Sequence, residues 1–415
     1  MESGHTIEIS PPHESVHRVP RLSTRAGFWA VALAFLVVTA FSTAPSSLYG
    51  IYEHREHLSS LTITFVYAVY VVGVVASLLL LGHVSDWYGR RVVLLPAIAV
   101  AVVACAVLLV WRSLAGLVVA RVLTGIAVGA AVATATALIT DLDGDRHGQP
   151  TRRAGIVSTV ANIGGLALGP LIAGVLARYE PHALTLPFRV FLAALLLGGI
   201  AAACVPERHP PVHPRPRYRP QRLSLPVNGR RRFAAACAGV FLCWAVAGLF
   251  AGLAGAFLAG PLHHPSPALC GLTIFLSFGA GVIVQTTTTS WQPHRLVAAG
   301  IVPALVGLGL LATSAWTSPP SLGLFLVGGI VSGAGSGAIF RGSLTVVLST
   351  ASADDRAGAL ATFFLAAYIG LSIPVLAVGI ALQHVSPRVT LLVFAAVVGV
   401  GILAAAPALV RPSNG

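Results

Sequence analysis

Long apolar runs alternate with short polar breaks along nearly the whole chain. Each run holds roughly twenty residues, which is what an α-helix needs to cross about 30 Å of hydrocarbon. Twelve are predicted, over residues 27–49, 62–82, 92–110, 114–140, 154–178, 187–205, 233–259, 268–290, 296–315, 321–347, 356–382 and 389–410. Apolar residues go all round each helix rather than along one stripe, so few facings can be assigned from periodicity. Several runs contain Gly and Pro, which membrane helices tolerate because their neighbours re-satisfy the backbone groups set free. The pattern predicts an all-α integral membrane protein. Arg18, Arg21 and Arg25 before the first run imitate the start of a signal peptide, but the run is too long for one and is read as a retained span.

One break differs in kind. Pro206–Arg232 is rich in Pro and Arg and is expected to be extended or disordered. It divides the twelve runs six and six. The expected organisation is a tail (1–26), a six-helix bundle (27–205), a linker (206–232), a second bundle (233–410) and a short tail (411–415). The linker either fixes topology as a solvated segment or touches anionic lipid headgroups. The halves also repeat weakly. Leu123–Ala130 aligns with Val331–Ala338, and Arg153-Ala-Gly155 with Arg356-Ala-Gly358. Duplicated bundles with a substrate site at their interface are a known transporter architecture.

Composition supports the same class: 56% of residues are hydrophobic and 9% charged, against about a quarter charged in soluble domains. Mean hydropathy is +0.85. The net charge of +13 would suggest nucleic acid in a soluble protein. In a membrane protein it reflects basic residues collected in cytoplasmic loops, so no nucleic-acid partner is expected. All the basic side chains are Arg. Most fall in the tails, the linker and the even-numbered breaks, which puts both termini in the cytoplasm and the chain in the cell membrane. The five cysteines lie in or beside apolar runs and read as small buried hydrophobes. The histidines avoid the apolar interiors and show no metal-ligand spacing; no cofactor or metal is expected. The chain is expected to act as a monomer, with the bilayer and a small molecule as partners.

The second break reads Gly-His-Val-Ser-Asp-Trp-Tyr-Gly-Arg-Arg-Val-Val-Leu from Gly82 to Leu94. It resembles the loop 2–3 signature of the major facilitator superfamily in Gly82, Asp86, Gly89, Arg90, Arg91 and Leu94. Val84 stands in place of the usual Leu and Trp87 in place of a usual Arg. The resemblance implies two pseudo-symmetric six-helix bundles that rock about a midplane site. It also implies a role for the loop as a latch on the cytoplasmic side. Arg90 is placed to bridge Asp86 and Asp141, which ends the fourth run. The alternative is that Arg90 and Arg91 only mark topology.

Arg121 lies about eight residues into the fourth run, where an embedded charge costs roughly 2.5–3.5 kcal/mol and is a functional candidate. Arg121-Val-Leu-Thr-Gly125 resembles the superfamily's span 4 motif, whose Arg is linked to proton coupling in relatives. Otherwise Arg121 snorkels and anchors the helix; Arg341 in the tenth run is expected to snorkel. In the fifth run, Gly165, Gly169, Pro170 and Gly174 leave a packing groove and permit a bend. They resemble the antiporter signature of the superfamily, with Ala173 where a Gly belongs. Ser42, Tyr70, Thr124, Asn162, Trp244, Ser332 and Tyr368 are candidates to line a central cavity. No acidic residue sits mid-run, so proton coupling lacks the embedded carboxylate it usually uses.

These features predict a secondary transporter of small organic or drug-like molecules, working by alternating access and leaning to export. An importer of a sugar or small metabolite, or a ligand-binding receptor that no longer transports, fits the same letters. A membrane enzyme does not: there is no nucleophile–base pair and no phosphate-binding Gly-Lys-Ser/Thr loop.

Overall fold

A computed structural model describes residues 22–82, 84–143, 151–179, 182–207, 218–226, 229–352 and 355–410. Twelve helices in it are long and apolar enough to cross a membrane. They are span 1 (Thr24–Ser47), span 2 (Ser60–Leu81), span 3 (Arg90–Val110), span 4 (Leu114–Asp143), span 5 (Arg152–Tyr179) and span 6 (Leu186–Ala203). The second half has span 7 (Arg230–Ala259), span 8 (Pro267–Thr287), span 9 (Pro293–Ser314), span 10 (Leu322–Thr350), span 11 (Arg356–His384) and span 12 (Pro387–Val410). Short helices Tyr49–Arg55 and Val84–Tyr88 follow spans 1 and 2. No strand occurs among the described residues.

Most spans start a few residues before the apolar run does, because their caps are polar. Ser23, Ser59, Thr151, Ser266 and Ser321 each accept a hydrogen bond from a first-turn backbone N–H. Arg25 and Arg152 are thereby helical rather than loop residues, and Arg230 is helical as well. The tails 1–21 and 411–415 lie outside the described residues, with Arg146, Arg208, Arg215, Arg217 and the His209–His213 pair.

The internal repeat is a repeat of packing. In the first half, a Cβ on Gly125 of span 4 would strike the Tyr70 carbonyl of span 2, and one on Gly129 would lie 2.8 Å from the Ser77 side chain. In the second half, Gly333 of span 10 meets the Ser277 carbonyl of span 8, and Gly337 meets Gly281 at 2.6 Å. Lipid supplies no hydrophobic drive between helices, so such backbone-to-backbone approach is how membrane helices gain contact.

An even number of crossings puts residues 22 and 410 on one face, the termini face. The two halves meet most closely at the opposite, far face. There Gly174 of span 5 abuts the Pro267 carbonyl of span 8, and Gly271 of span 8 abuts the Pro170 carbonyl. Gly379 of span 11 abuts the side chain of Thr64 in span 2. The halves are joined like a V closed at the far face.

The linker is expected to be extended or disordered, and its described stretch 218–226 carries no helix or strand. That stretch runs between the halves at the termini face with defined partners. The Tyr218 hydroxyl and Gln221 N–H donate to the Leu80 and Leu79 carbonyls at the end of span 2, at 3.0 and 2.7 Å. Ser224 donates to Asp355 at 3.1 Å and accepts from Thr362 at 3.1 Å, at the start of span 11. A Pro/Arg-rich segment buries no core of its own, but helix ends offer it unsatisfied carbonyls.

Candidate functional site

The loop between spans 2 and 3 folds back through Gly89, whose φ of 101° only glycine adopts without strain. That turn sets Arg90 over the short helix before it. Arg90 Nε donates to Asp141 Oδ2 at 3.2 Å, while Nη1 donates to Ser85 at 3.3 Å and pairs with Asp86. The carboxylates differ in setting: Asp86 is 53% exposed and Asp141 24%. Arg91 goes elsewhere. Its guanidinium donates to the Ala203 and Val205 carbonyls, both at 3.1 Å, and its backbone N–H donates to Glu207 at 2.7 Å. Arg91 thus caps the end of span 6 and is separate from the Arg90 cluster. Gly82 ends span 2, where a Cβ would lie 2.7 Å from the Leu78 carbonyl. The Arg90 cluster thus ties the short helix after span 2 to spans 3 and 4, and Arg91 ties span 3 to the end of span 6.

Arg121 is 2% exposed and does not reach a surface. Span 1 tightens from α to 3₁₀ at Ala44–Ser47, around Pro45, and Arg121 Nη1 donates to the Ser42 carbonyl at that junction. The guanidinium lies 4.6 Å from the Tyr70 ring centre and 5.7 Å from that of Tyr67. Stacking on ring faces replaces part of its lost hydration. Its Nε has no hydrogen-bond partner, and no carboxylate pairs with it among the described residues. A buried cation left with a free donor is a place where a ligand oxygen would be welcome.

Span 5 accommodates Pro170 with help from span 1. Pro170 has no N–H for the Leu166 carbonyl, and the Thr43 hydroxyl donates to that oxygen instead, at 2.9 Å. One turn earlier a π-helical stretch covers Val160–Gly164, and Thr39 donates to the Ala161 carbonyl at 2.8 Å. Both hydroxyls come this close because Gly165 and Gly169 have no side chains: a Cβ on either would collide with Thr39 or with the Ala40 carbonyl. Gly165 and Gly169 therefore serve the seam with span 1, and Gly174 the seam with span 8.

Among the described residues, two cavities between the halves lie at the far face, around Gly50 and Gly255, and two more lie deeper. Of the deeper two, the enclosed one is lined by Ser42, Tyr67, Tyr70, Arg121 and Asn162 from the first half and by Trp244, Phe278, Tyr368 and Leu371 from the second. The other lies toward the termini face, between Ile163, Ser277, Gln285, Ser336 and Phe340. Leu166, Trp244 and Phe278 line both, forming an apolar neck between them. Trp244 is held edge-on to Tyr368, ring centres 5.1 Å apart, and 6.0 Å from Phe340.

Of the seven cavity candidates, Ser42, Tyr70, Asn162, Trp244 and Tyr368 line the enclosed chamber. Thr124 and Ser332 do not. Each is buried and donates back to its own helix, to Ala120 at 2.6 Å and to Gly329 at 3.3 Å. Gly125, read with Arg121 as a coupling residue, packs on span 2 away from the chamber. Arg341, expected to snorkel, donates to the Gln285 and Thr289 carbonyls at the end of span 8. Tyr67, Leu166 and Phe278 escaped sequence reading because an apolar or aromatic residue in an apolar run carries no mark of its facing. Tyr67 alone had a signal, lying three residues before Tyr70 on the same helix face.

A family model described as Major Facilitator Superfamily matches residues 27–319. A class G tetracycline resistance protein from Vibrio anguillarum is 35% identical over 128 residues, 30% of each chain. A class C tetracycline resistance protein from Escherichia coli is 27% identical over 267 residues, 60% of this chain and 64% of that protein. The chain thus matches less than two thirds of the length of either relative. Among solved structures, a mutant of the nucleoside transporter NupG superposes with a TM-score of 0.69. The superposition covers 92% of this chain and 99% of that one at 13% identity, a likeness of fold alone.

Proposed function

Because the chain belongs to the Major Facilitator Superfamily, we propose that it exports small organic, drug-like molecules across the cytoplasmic membrane by alternating access. The observation that carries this reading is the chamber between the halves, with Arg121 on one wall and Trp244, Phe278 and Tyr368 on the other. Aromatic walls hold flat apolar molecules of many shapes, and a few polar groups orient them. With both termini cytoplasmic, as the Arg distribution implies, the deeper cavity toward the termini face is the cytoplasmic vestibule. A molecule would enter from it, pass the Leu166–Trp244–Phe278 neck and meet Arg121. The halves would then rock, opening the far-face seams and closing the termini face. The Arg90–Asp86–Asp141 cluster would stiffen the first half at the face that closes.

Export rather than import is supported by the two relatives named as tetracycline resistance proteins and by the span 5 signature. Among the described residues the acidic ones that lie on spans, Asp141 and Asp143, sit at a span end. Coupling to protons, if present, would run through such peripheral carboxylates or through Arg121 itself. The test is a growth-inhibition panel in an efflux-deficient host expressing the chain, followed by counterflow of any active compound in proteoliposomes. Resistance with exchange is the expected result. Uptake of a nutrient without resistance would replace export by import, and binding without exchange would make the protein a receptor.

A further inference from the structure

Spans 2 and 11 form one helix pair with two different ends. At the far face they touch directly, Gly379 against Thr64. At the termini face the linker lies between them. Gln221 holds span 2 through its N–H to Leu79, and Ser224 holds span 11 through Asp355 and Thr362. Three residue steps of extended chain reach at most roughly 10 Å, so the linker bridges the two helices at this end by a short stretch of chain. The seat on span 11 is shaped for it. A Cβ on Gly358 would stand 2.6 Å from Ser224 Cβ and 2.8 Å from the Arg222 carbonyl. The seat on span 2 is chemical, since Leu79 and Leu80 lie in its last turn, where carbonyls lack helical partners. Arg219 and Arg222 stay exposed, so the segment docks by its backbone and hydroxyls and leaves its charge in water.

We propose that Tyr218–Ser224 is a wedge: docked, it keeps the termini face open, and it must leave its seat before spans 2 and 11 can close there. The inference rests on the alternating-access reading above and adds a device to it. In a two-state equilibrium, contacts made in one state alone shift the populations by their whole free energy. The docked strap makes its contacts to both halves at once, so it favours the state in which those two helix ends are apart. Its release sets how readily the protein turns to the far side. It also makes the linker the part of the chain through which another molecule could hold the protein in one state.

The test reads conformation, independently of substrate. In a variant lacking the five native cysteines, spin labels go on Phe65→Cys and Ile380→Cys, lipid-exposed neighbours of Thr64 and Gly379 at the far face. Distances between them are measured in nanodiscs for three proteins. These are the parent, Ser224→Ala with Thr362→Val, and a chain with residues 218–224 replaced by Gly and Ser at equal length. The population with separated far ends should rise roughly fivefold or more in the Gly/Ser chain, and less in the double variant. Unchanged distances in a monodisperse Gly/Ser chain with parental melting temperature would overturn the wedge, whatever that chain transports. A shifted equilibrium in a chain that moves no compound would keep the wedge and remove the transport reading.

Discussion

The two halves of this protein are alike in how they pack and unlike in what they put at the centre. At the register where Gly125 matches Gly333, Arg121 of span 4 matches Gly329 of span 10. Arg121 reaches across to the bent end of span 1 and bonds the Ser42 carbonyl. At Gly329 the corresponding space holds the ring of Phe250 from span 7, 3.0 Å from where a Cβ would be. The first half thus brings a cation to its helix junction and the second an aromatic ring. The scaffold repeats, but the chamber walls differ: one carries Arg121 with Tyr67 and Tyr70, the other Trp244, Phe278 and Tyr368 with no charge. A chamber with two identical walls would hold a ligand equally well in two orientations. Unequal walls select one.

Removing the charge should therefore have the largest effect. Arg121→Leu deletes the asymmetry while keeping much of the volume. A hydrogen bond to a charged group is worth about 1.5–3 kcal/mol, so transport should fall about ten- to a hundredfold. Membrane insertion should be unharmed or improved, because an embedded Arg opposes it by roughly 2.5–3.5 kcal/mol. Vesicle transport and surface expression measured together check both halves of the expectation. Normal transport by Arg121→Leu would reduce the cation to a helix anchor.

The next comparison concerns what the halves share. Gly125→Ala and Gly333→Ala each push a methyl group into a facing backbone carbonyl, that of Tyr70 or of Ser277. Overpacking of this kind costs about 1–3 kcal/mol. Both variants should melt at lower temperature in detergent, and by similar amounts. A loss confined to one half would mean that the shared pattern of small residues has different uses in the two halves.

This shared part is also what was legible beforehand. Twelve spans, the six-plus-six division and the matched glycines came from run length and spacing, which the bilayer imposes on any chain that crosses it. The partners of Arg90 could be named because few carboxylates exist and two lie at the same face. What could not be read was facing. Thr124 and Ser42 look alike in sequence and both hydroxyls donate back to their own helices, yet only Ser42 lines the chamber. Arg91 and Arg341 were equally ambiguous, because an Arg at a helix end can find water, lipid or a carbonyl. The seats of the linker could not be read for a further reason. Its composition forbids a core of its own but says nothing about unsatisfied carbonyls on the helices beside it.

A smaller effect is expected at the loop between spans 2 and 3, since His294 and Arg295 at the matching place in the second half take part in none of the described ion pairs. The two carboxylates around Arg90 should not be equal. Asp86 is half exposed, so solvent screens its pairing. Asp141 is more shielded and holds the guanidinium to span 4. Asp141→Asn should cost transport severalfold and Asp86→Asn less, each with surface expression retained. The reverse order would show that Asp86 meets a partner in another state of the cycle.

The smallest and most discriminating effect lies at a pair of glycines that the repeat aligns. Gly155 starts span 5 and Gly358 starts span 11, each two residues after an Arg. Around Gly155 nothing lies within 4 Å of an added Cβ, whereas at Gly358 the linker stands at 2.6–3.1 Å. A helical Gly→Ala change that fits without strain stabilises by about 0.4–1 kcal/mol through the unfolded chain. Gly155→Ala should therefore raise the melting temperature slightly and leave transport alone. Gly358→Ala should gain the same local preference but lift Ser224 from its seat, so its melting temperature should change less. Protease cleavage within 218–224 should become faster in that variant alone, since docking is what shields the segment. If the two variants melt and cleave alike, the linker is not seated on span 11, and the difference between the halves at this face disappears with it.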